Sequence, residues 1–306
     1  MRILITGGCG FIGSNLIKYL NNKGYNDIYV LDNLSKGSLS NLVDCNIVDF
    51  FESDIVNYKD IVNYFNDIDV VIHLAAYGSV VESVENPQQN FDINAAGTLN
   101  VLRCAAEKGV SKFVFSSTGG ALIGNAVPPV NEKSVPRPIS PYGAGKLACE
   151  GYCCAFSHSY NMNITSLRFA NVVGPTSYHK KGAVSAFIKA MIKNNPIEIF
   201  GNGEATRDYL HVNDLCNGIL LSLESNKTGF NVYHLASGFE TSVNELSSII
   251  MKVLGKENYP IKYHSKRPGE VEKNFASYKL AKEELGFEPE HSLRDAILDT
   301  YKSFTQ

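Results

Sequence analysis

A tyrosine and a lysine four residues apart, Tyr142 and Lys146, and a run of glycines at Gly7, Gly8, Gly10 and Gly13 have the types and spacing to do chemistry. In Ser140-Pro141-Tyr142-Gly143-Ala144-Gly145-Lys146 the i, i+4 spacing puts the phenol and the ammonium on one face of a helix. A phenol ordinarily ionises at a pH of about 10, so half ionisation near neutrality asks for roughly 4 kcal/mol of differential stabilisation. An ammonium about 4 Å away, at an effective dielectric of about 20, supplies an interaction of that size. Lys146 is therefore expected to make Tyr142 a general base and to hold a cofactor ribose with its remaining protons. The spacing alone is common by chance, and it gains weight only in company.

The company is the glycine run. An apolar stretch, Ile3 to Thr6, leads directly into Gly7-Gly8-Cys9-Gly10-Phe11-Ile12-Gly13, and Leu16, Ile17 and Leu20 then follow at helical spacing. Glycines in that context allow a tight strand-to-helix turn, a close backbone approach to a pyrophosphate, and close helix–sheet packing. The helix N-terminus then faces the anion. A second apolar run, Ile28 to Leu31, ends in Asp32, whose carboxylate is placed to accept hydrogen bonds from the adenosine ribose. The same charge repels a 2′-phosphate, so the expected dinucleotide is NAD rather than NADP.

These residues must be held by regular elements. Ile3 to Thr6, Ile28 to Leu31, Asp69 to Leu74, Lys112 to Ser116 and Asn163 to Arg168 read as strands, with helix-length segments between them and a further strand at Tyr233 to Ala236. That rhythm predicts an α/β fold, a Rossmann-like doubly wound parallel sheet whose strands are buried on both faces. Beyond about Val172 the rhythm loosens, with Gly and Pro signals from Gly174-Pro175 to Arg267-Pro268-Gly269, which predicts a smaller, irregular α/β C-terminal lobe. The expected division is 1–171, also receiving about 209–237, as the NAD-binding domain and 172–306 mainly as the substrate lobe.

Composition narrows the class of partner. A net charge of −3 leaves no basic surplus for nucleic acid, and no apolar run approaches the roughly 20 residues that would span a bilayer. Arg2 leads into a short apolar stretch ending in glycines, so no secretory leader is expected. The seven cysteines are odd in number and contain no C-x-x-C pair, which points to a reducing, cytoplasmic setting and to no metal site. Cys153-Cys154 falls in a helical pattern and is expected to be core. His73 and His211 sit beside strand or turn patterns and are expected to be structural.

Taken together, the chain resembles the extended short-chain dehydrogenase/reductase family and, within it, the nucleotide-sugar epimerases. The resemblance runs almost end to end. It is carried by Thr6 to Gly13, Asp32-Asn33-Leu34-Ser35, His73-Leu74-Ala75-Ala76, Ser116-Ser117-Thr118, Tyr142 with Lys146, Arg168-Phe169-Ala170-Asn171-Val172, Arg207-Asp208-Tyr209, His211-Val212 with Asp214, and Arg267-Pro268-Gly269-Glu270. It implies that Gly7, Gly10, Phe11, Ile12, Gly13, Asp32, Asn33 and Ser35 bind NAD. It further implies that Asp54 and Ile55 flank the adenine and that Leu74, Ala75 and Ala76 line the cofactor channel. Asn94 would pack or face the cofactor. Thr118 is implied as the hydroxyl that bonds the sugar oxygen deprotonated by Tyr142, with Ser117 as the fallback. Asn171, Arg207 and Arg267 are implied to hold the diphosphate and uridine, with Glu270 on the nucleotide ribose; planar guanidinium groups suit phosphate oxygens.

The implied activity is epimerisation at C4 of a UDP-hexose, plain, N-acetylated or uronic, with NAD retained and no metal required. A homodimer through helices near Asn94 to Glu107 and Tyr142 to Tyr160 is also implied. A dehydratase or decarboxylase of the same family is the alternative, and a non-enzymatic NAD sensor the remote one. Thr118-Gly119-Gly120 lacks the Asp-Glu pair and the Glu that those enzymes carry, so it offers neither acid nor base for elimination. The same segment lacks an aromatic at Ile123 and has an extra glycine, which predicts an unusually open pocket wall. Asn274, smaller than the Tyr often found at its position, is expected to admit an N-acetyl group.

Overall fold

The computed structural model describes residues 1–267 and 271–305. Its strands, in chain order, are β1 (Ile3–Thr6), β2 (Ile28–Asp32), β3 (Asp49–Glu52), β4 (Val70–His73), β5 (Lys112–Thr118), β6 (Asn163–Phe169), β7 (Asn171–Val173), β8 (Ile197–Phe200), β9 (Thr206–Arg207), β10 (Tyr209–His211), β11 (Phe230–Leu235), β12 (Thr241–Ser242) and β13 (Ile261–His264). Seven of them form one sheet in the order β11-β6-β5-β4-β1-β2-β3. Every pairing in it is parallel, with Ile3 opposite both Ile28 and Val70. Helices cover both faces, as a parallel sheet requires.

The alternation of side chains along β1 shows how the sequence divides its apolar groups between the two faces. Ile3 and Ile5 enter one core with Leu16, Leu20 and Ile219, while Leu4 enters the other with Val101, Leu102 and Cys153. Each such side chain, fully buried, contributes about 1.5–3 kcal/mol. The expected β1, β2, β4, β5 and β6 are all present, shifted by at most two residues at an end. The strand expected at Tyr233 starts at Phe230, because Phe230 already pairs with Ile164. The edge strand β3, Asp-Phe-Phe-Glu, escaped prediction: its apolar centre is two residues long and its ends are charged and exposed.

A third core, outside the sheet, gathers Phe187, Ile188, Ile197, Leu246, Ile250 and Ile297. Three two-stranded pairs lie outside the large sheet, β7 with β10, β9 with β12 and β8 with β13; Asn171 N donates to the carbonyl of Asp208, the residue after Arg207, at 2.9 Å, and β8 supplies Ile197 to the third core. The helix Val212–Glu224 then returns to pack against the helix Phe11–Asn22.

The order of strands reverses between β1 and β4, and there the carboxyl ends of adjacent strands diverge into a crevice, the usual ligand position of doubly wound sheets.

Candidate active site

Gly7 follows β1 at the reversal point with φ of +72°, and a Cβ there would lie 2.7 Å from the backbone nitrogen of Ala75. A Cβ on Gly13 would lie 2.3 Å from the Gly7 carbonyl oxygen. Only glycine lets the helix Phe11–Asn22 start this close to the sheet, with its free N–H groups facing the crevice. Asp32, at the end of β2, is buried, and burial raises its pKa. Its Oδ2 accepts from Cys9 N at 3.0 Å and its Oδ1 from Leu34 N at 2.8 Å, so the carboxylate is locked in place with lone pairs remaining on both oxygens. Asn33 donates to Asp54 at 2.8 Å and accepts from the Ser35 hydroxyl at 2.6 Å, joining three of the expected adenosine-side residues in one chain of bonds. Ile55 is buried against Gly97, where a Cβ would meet its side chain at 2.7 Å. Leu74, Ala75 and Ala76 follow β4 and are half-buried. A glycine cradle, a fixed acid and a helix N-terminus suit a dinucleotide without alteration.

Asn94 proves to be a packing residue. Its Oδ1 accepts from Tyr77 N at 2.7 Å and its Nδ2 donates to Tyr77 O at 3.1 Å, which fixes the turn after β4.

The helix Pro141–Ser159 begins where Ser140 caps it by accepting from Gly143 N, with Pro141 at its first position. It carries Tyr142 and Lys146 into the crevice edge beside Thr118, the last residue of β5. Burial opposes the activation expected of this pair. Burial pushes the Tyr142 phenol up to about 12, the Thr118 hydroxyl pulling weakly the other way. Lys146, 2% exposed, donates from Nζ to Ser116 O at 2.7 Å and lies 4.7 Å from the Phe115 ring centroid. Burial likewise lowers the pKa of Lys146, because it penalises the charged ammonium.

Ser117 cannot serve as the fallback hydroxyl. It donates to Glu150 Oε1 at 2.6 Å, and that carboxylate also takes Ser166 Oγ at 3.0 Å and Arg168 at 3.0 and 2.8 Å. Sequence reasoning missed this buried network. Its signal was an acid at i+4 from Lys146 and an arginine inside the strand Asn163–Phe169.

The pocket wall at Gly119-Gly120 is filled rather than open. A Cβ on Gly120 would meet Asn274 Nδ2 at 2.0 Å and one on Gly119 the His234 ring at 3.1 Å, so side chains from elsewhere occupy the room the glycines vacate. Residues 120–123 close into a helical turn, and Ile123 is buried in a small core with Leu122 and Val130 instead of facing the crevice.

Asn171 is exposed at the start of β7. Arg207 donates to the Thr206 carbonyl at 2.7 Å, and the Arg267 guanidinium lies 3.5 Å from the Phe200 ring centroid. Neither arginine has an acidic partner among the described residues. The adjacent Asp208 is instead buried, accepting from Ser237 N and Oγ at 2.8 Å and from Gly238 N at 3.0 Å, which shapes the turn after β11. Glu270 lies outside the described residues. His73 accepts or donates at both ring nitrogens, 2.6 Å from Thr6 Oγ1 and 2.9 Å from Thr98 Oγ1, and His211 caps the helix Val212–Glu224; both are structural. Cys153 is fully buried in a core and Cys154 half-buried.

A glycine crevice at the reversal of a parallel sheet, an acid at the end of the second strand and a Tyr–Lys pair on one helix face define a dinucleotide-dependent α/β enzyme. The chain belongs to the NAD dependent epimerase/dehydratase family, whose profile matches residues 3–236, and NAD is its cofactor. Among its relatives, a putative UDP-glucose 4-epimerase of Methanocaldococcus jannaschii is 38% identical over 304 residues, covering 96% of this chain and 95% of its own. The crystal structure of UDP-glucose 4-epimerase from Thermotoga maritima with UDP-glucose superposes with a TM-score of 0.94 at 38% identity, over 100% of this chain and 99% of that one. A dTDP-glucose 4,6-dehydratase from Streptomyces venezuelae, crystallised with NAD, reaches the same TM-score at 27% identity, over 100% and 97%. Among the described residues no helix is long and apolar enough to cross a membrane.

Proposed function

We propose that this protein inverts C4 of a UDP-hexose through a transient 4-keto sugar. The observation that carries the reading is half-buried Tyr142 and buried Lys146 on one helix face beside Thr118, which is followed by two glycines that supply no acid or base for elimination. NAD, held by the glycine crevice and Asp32, would supply a reversible hydride acceptor at sugar C4, so that C4 could be oxidised and then reduced on its opposite face. Tyr142 takes the O4 proton as C4 is oxidised and gives it back as C4 is reduced, so the net change in oxidation state is zero. Thr118 holds O4 during both transfers. Lys146 has two protons left after its bond to Ser116, one for the Tyr142 oxygen and one for the cofactor ribose. Arg207 and Arg267, with Asn171 and Glu270, hold the nucleoside diphosphate while the sugar turns about its linkage.

The sugar is of a size set at Asn274, whose short side chain leaves more room than an aromatic and favours acceptance of N-acetylated hexoses beside plain ones. The reading includes a homodimer through the helices Gly97–Glu107 and Pro141–Ser159, whose neighbourhood exposes Phe91, Tyr152 and Tyr160. Sedimentation at micromolar concentration tests it, a monomer refuting the dimer.

The test of activity is incubation with a panel of UDP-sugars and identification of the products. An epimer of unchanged mass is expected; loss of water or of carbon dioxide would assign the protein to the dehydratases or decarboxylases. Tyr142→Phe should keep NAD and the fold and lose nearly all turnover.

A further inference from the structure

Three loops surround the glycine crevice, and a single carboxylate joins them. Glu82 sits on the short helix Val80–Glu85, which follows the turn carrying Ala75, Ala76 and Tyr77 out of β4. Its Oε1 accepts from Lys181 Nζ at 2.7 Å, and Lys181 belongs to the loop between β7 and the helix Ala183–Ile192. Its Oε2 lies 3.8 Å from Lys36 Nζ, in the loop that carries Asn33 and Ser35 out of β2. The Lys36 ammonium also rests 4.7 Å from the centre of the Tyr77 ring. The Glu82 side chain is 16% exposed, whereas Lys181 is 80% exposed, so the acid is the anchored member and the lysine reaches to it. Lys181 first, then Tyr77 and Lys36, hold the Glu82 carboxyl below its usual range, so it stays charged at neutral pH.

The same loop is tied once more to the crevice. Asn15, in the first turns of the helix Phe11–Asn22, donates to Pro175 O at 3.1 Å and to Thr176 Oγ1 at 2.8 Å. The chain between Thr176 and Lys181 is thereby pinned at one end to the helix that faces the dinucleotide phosphates and at the other to Glu82. A dinucleotide lying between the loops after β2 and β4 would be enclosed by this arrangement.

We propose that Lys36, Glu82 and Lys181 form a clasp across the cofactor crevice that slows the departure of NAD. The proposal rests on the crevice holding the dinucleotide and not on the identity of the sugar. Retention suits a reaction with no net redox, since a cofactor restored in each cycle has no need to exchange. Helix Val80–Glu85 also carries Ser83, whose hydroxyl accepts from Tyr142 N at 3.2 Å, so the element that bears the clasp also touches the start of the Tyr142 helix.

The experiment measures the rate at which NAD leaves the purified holoprotein, without sugar, after dilution into an NAD-destroying enzyme. Exposed ion pairs are individually weak, so Glu82→Gln and Lys181→Met are each expected to release NAD about three- to ten-fold faster, with the double variant little faster than either. In about 1 M salt the unaltered protein should approach the variants, because screening removes the same attraction. Lys181 is exposed, so its variant keeps the fold, and the melting temperature of the NAD-free forms checks this for both. Release within two-fold of the unaltered protein in both variants would overturn the proposal. So would slower release from Glu82→Gln, which would mean that the lysines grip the pyrophosphate directly and Glu82 competes for them. A product panel showing another reaction would leave these rates unaffected, so the two readings fail separately.

Discussion

Lys146 Nζ donates to the carbonyl oxygen of Ser116 at 2.7 Å, and the Tyr142 phenol four residues before it stays pushed up to about 12. The lysine is buried one helical turn from the phenol, and burial of the phenolate opposes its ionisation. A bound nicotinamide ring would add positive charge there.

NAD-loaded protein should therefore show Tyr142 ionising well below its position in NAD-free protein, followed by ultraviolet difference absorption of phenolate. A base works only when deprotonated, so activity should fall as pH drops through the loaded-state value. Lys146→Met should move that acid limb upward by about one to three pH units, given an ammonium–phenolate attraction of up to about 4 kcal/mol. An unmoved limb would remove Lys146 from the ionisation of Tyr142.

Acid should destabilise the fold through its buried imidazoles. Burial, and secondarily Lys146, depress His73 to about 3, and burial with Arg168 depresses His234 likewise. Between about pH 6.5 and 3 the unfolded chain binds these protons and the folded chain does not, so stability falls as pH falls, by up to about 1.4 kcal/mol per pH unit for each histidine. His73→Gln should lower that slope by about one proton, read from denaturant unfolding of NAD-free protein at pH 5 to 7.

Thr118 and its neighbour separate by partner. Thr118→Val, which keeps the side-chain shape and removes the hydroxyl proposed to hold O4, should lose about ten-fold or more of kcat, while Ser117→Ala should keep turnover and lose about 1 kcal/mol of stability with its bond to Glu150. Glu150→Gln leaves Arg168 charged and buried without its acid and should cost about 3–5 kcal/mol by denaturant unfolding.

Gly120→Ala puts a methyl 2.0 Å from Asn274 Nδ2, a mobile side-chain end, so the fold should survive while Asn274 is displaced toward the sugar. The ratio of kcat/KM for N-acetylated over plain UDP-hexose should fall about three- to ten-fold, the scale of a methyl-sized change in a pocket. Asn274→Tyr should lower it further. Equal ratios in all three proteins would exclude Asn274 from the sugar wall.

What the sequence determined by itself was whatever depends on local period and local chemistry. Ile3 to Gly13 dictates strand, turn and helix because apolar β-branched residues, close-packed glycines and helical spacing act within a dozen residues; Asp32 and the Tyr142–Lys146 face follow from the same short range. β3 was illegible because an edge strand of two phenylalanines between acids has no periodic signature until its neighbour β2 pairs with it. Only the tertiary structure decided what fills the space beside Gly119 and Gly120, since His234 and Asn274 come from 115 and 154 residues further along the chain. It alone committed Ser117 to Glu150, and Glu82 to lysines from two distant loops. The ionisation of Tyr142 belongs to the same class: spacing puts the lysine on its helix face, but burial, a property of the whole packed molecule, raises the phenol.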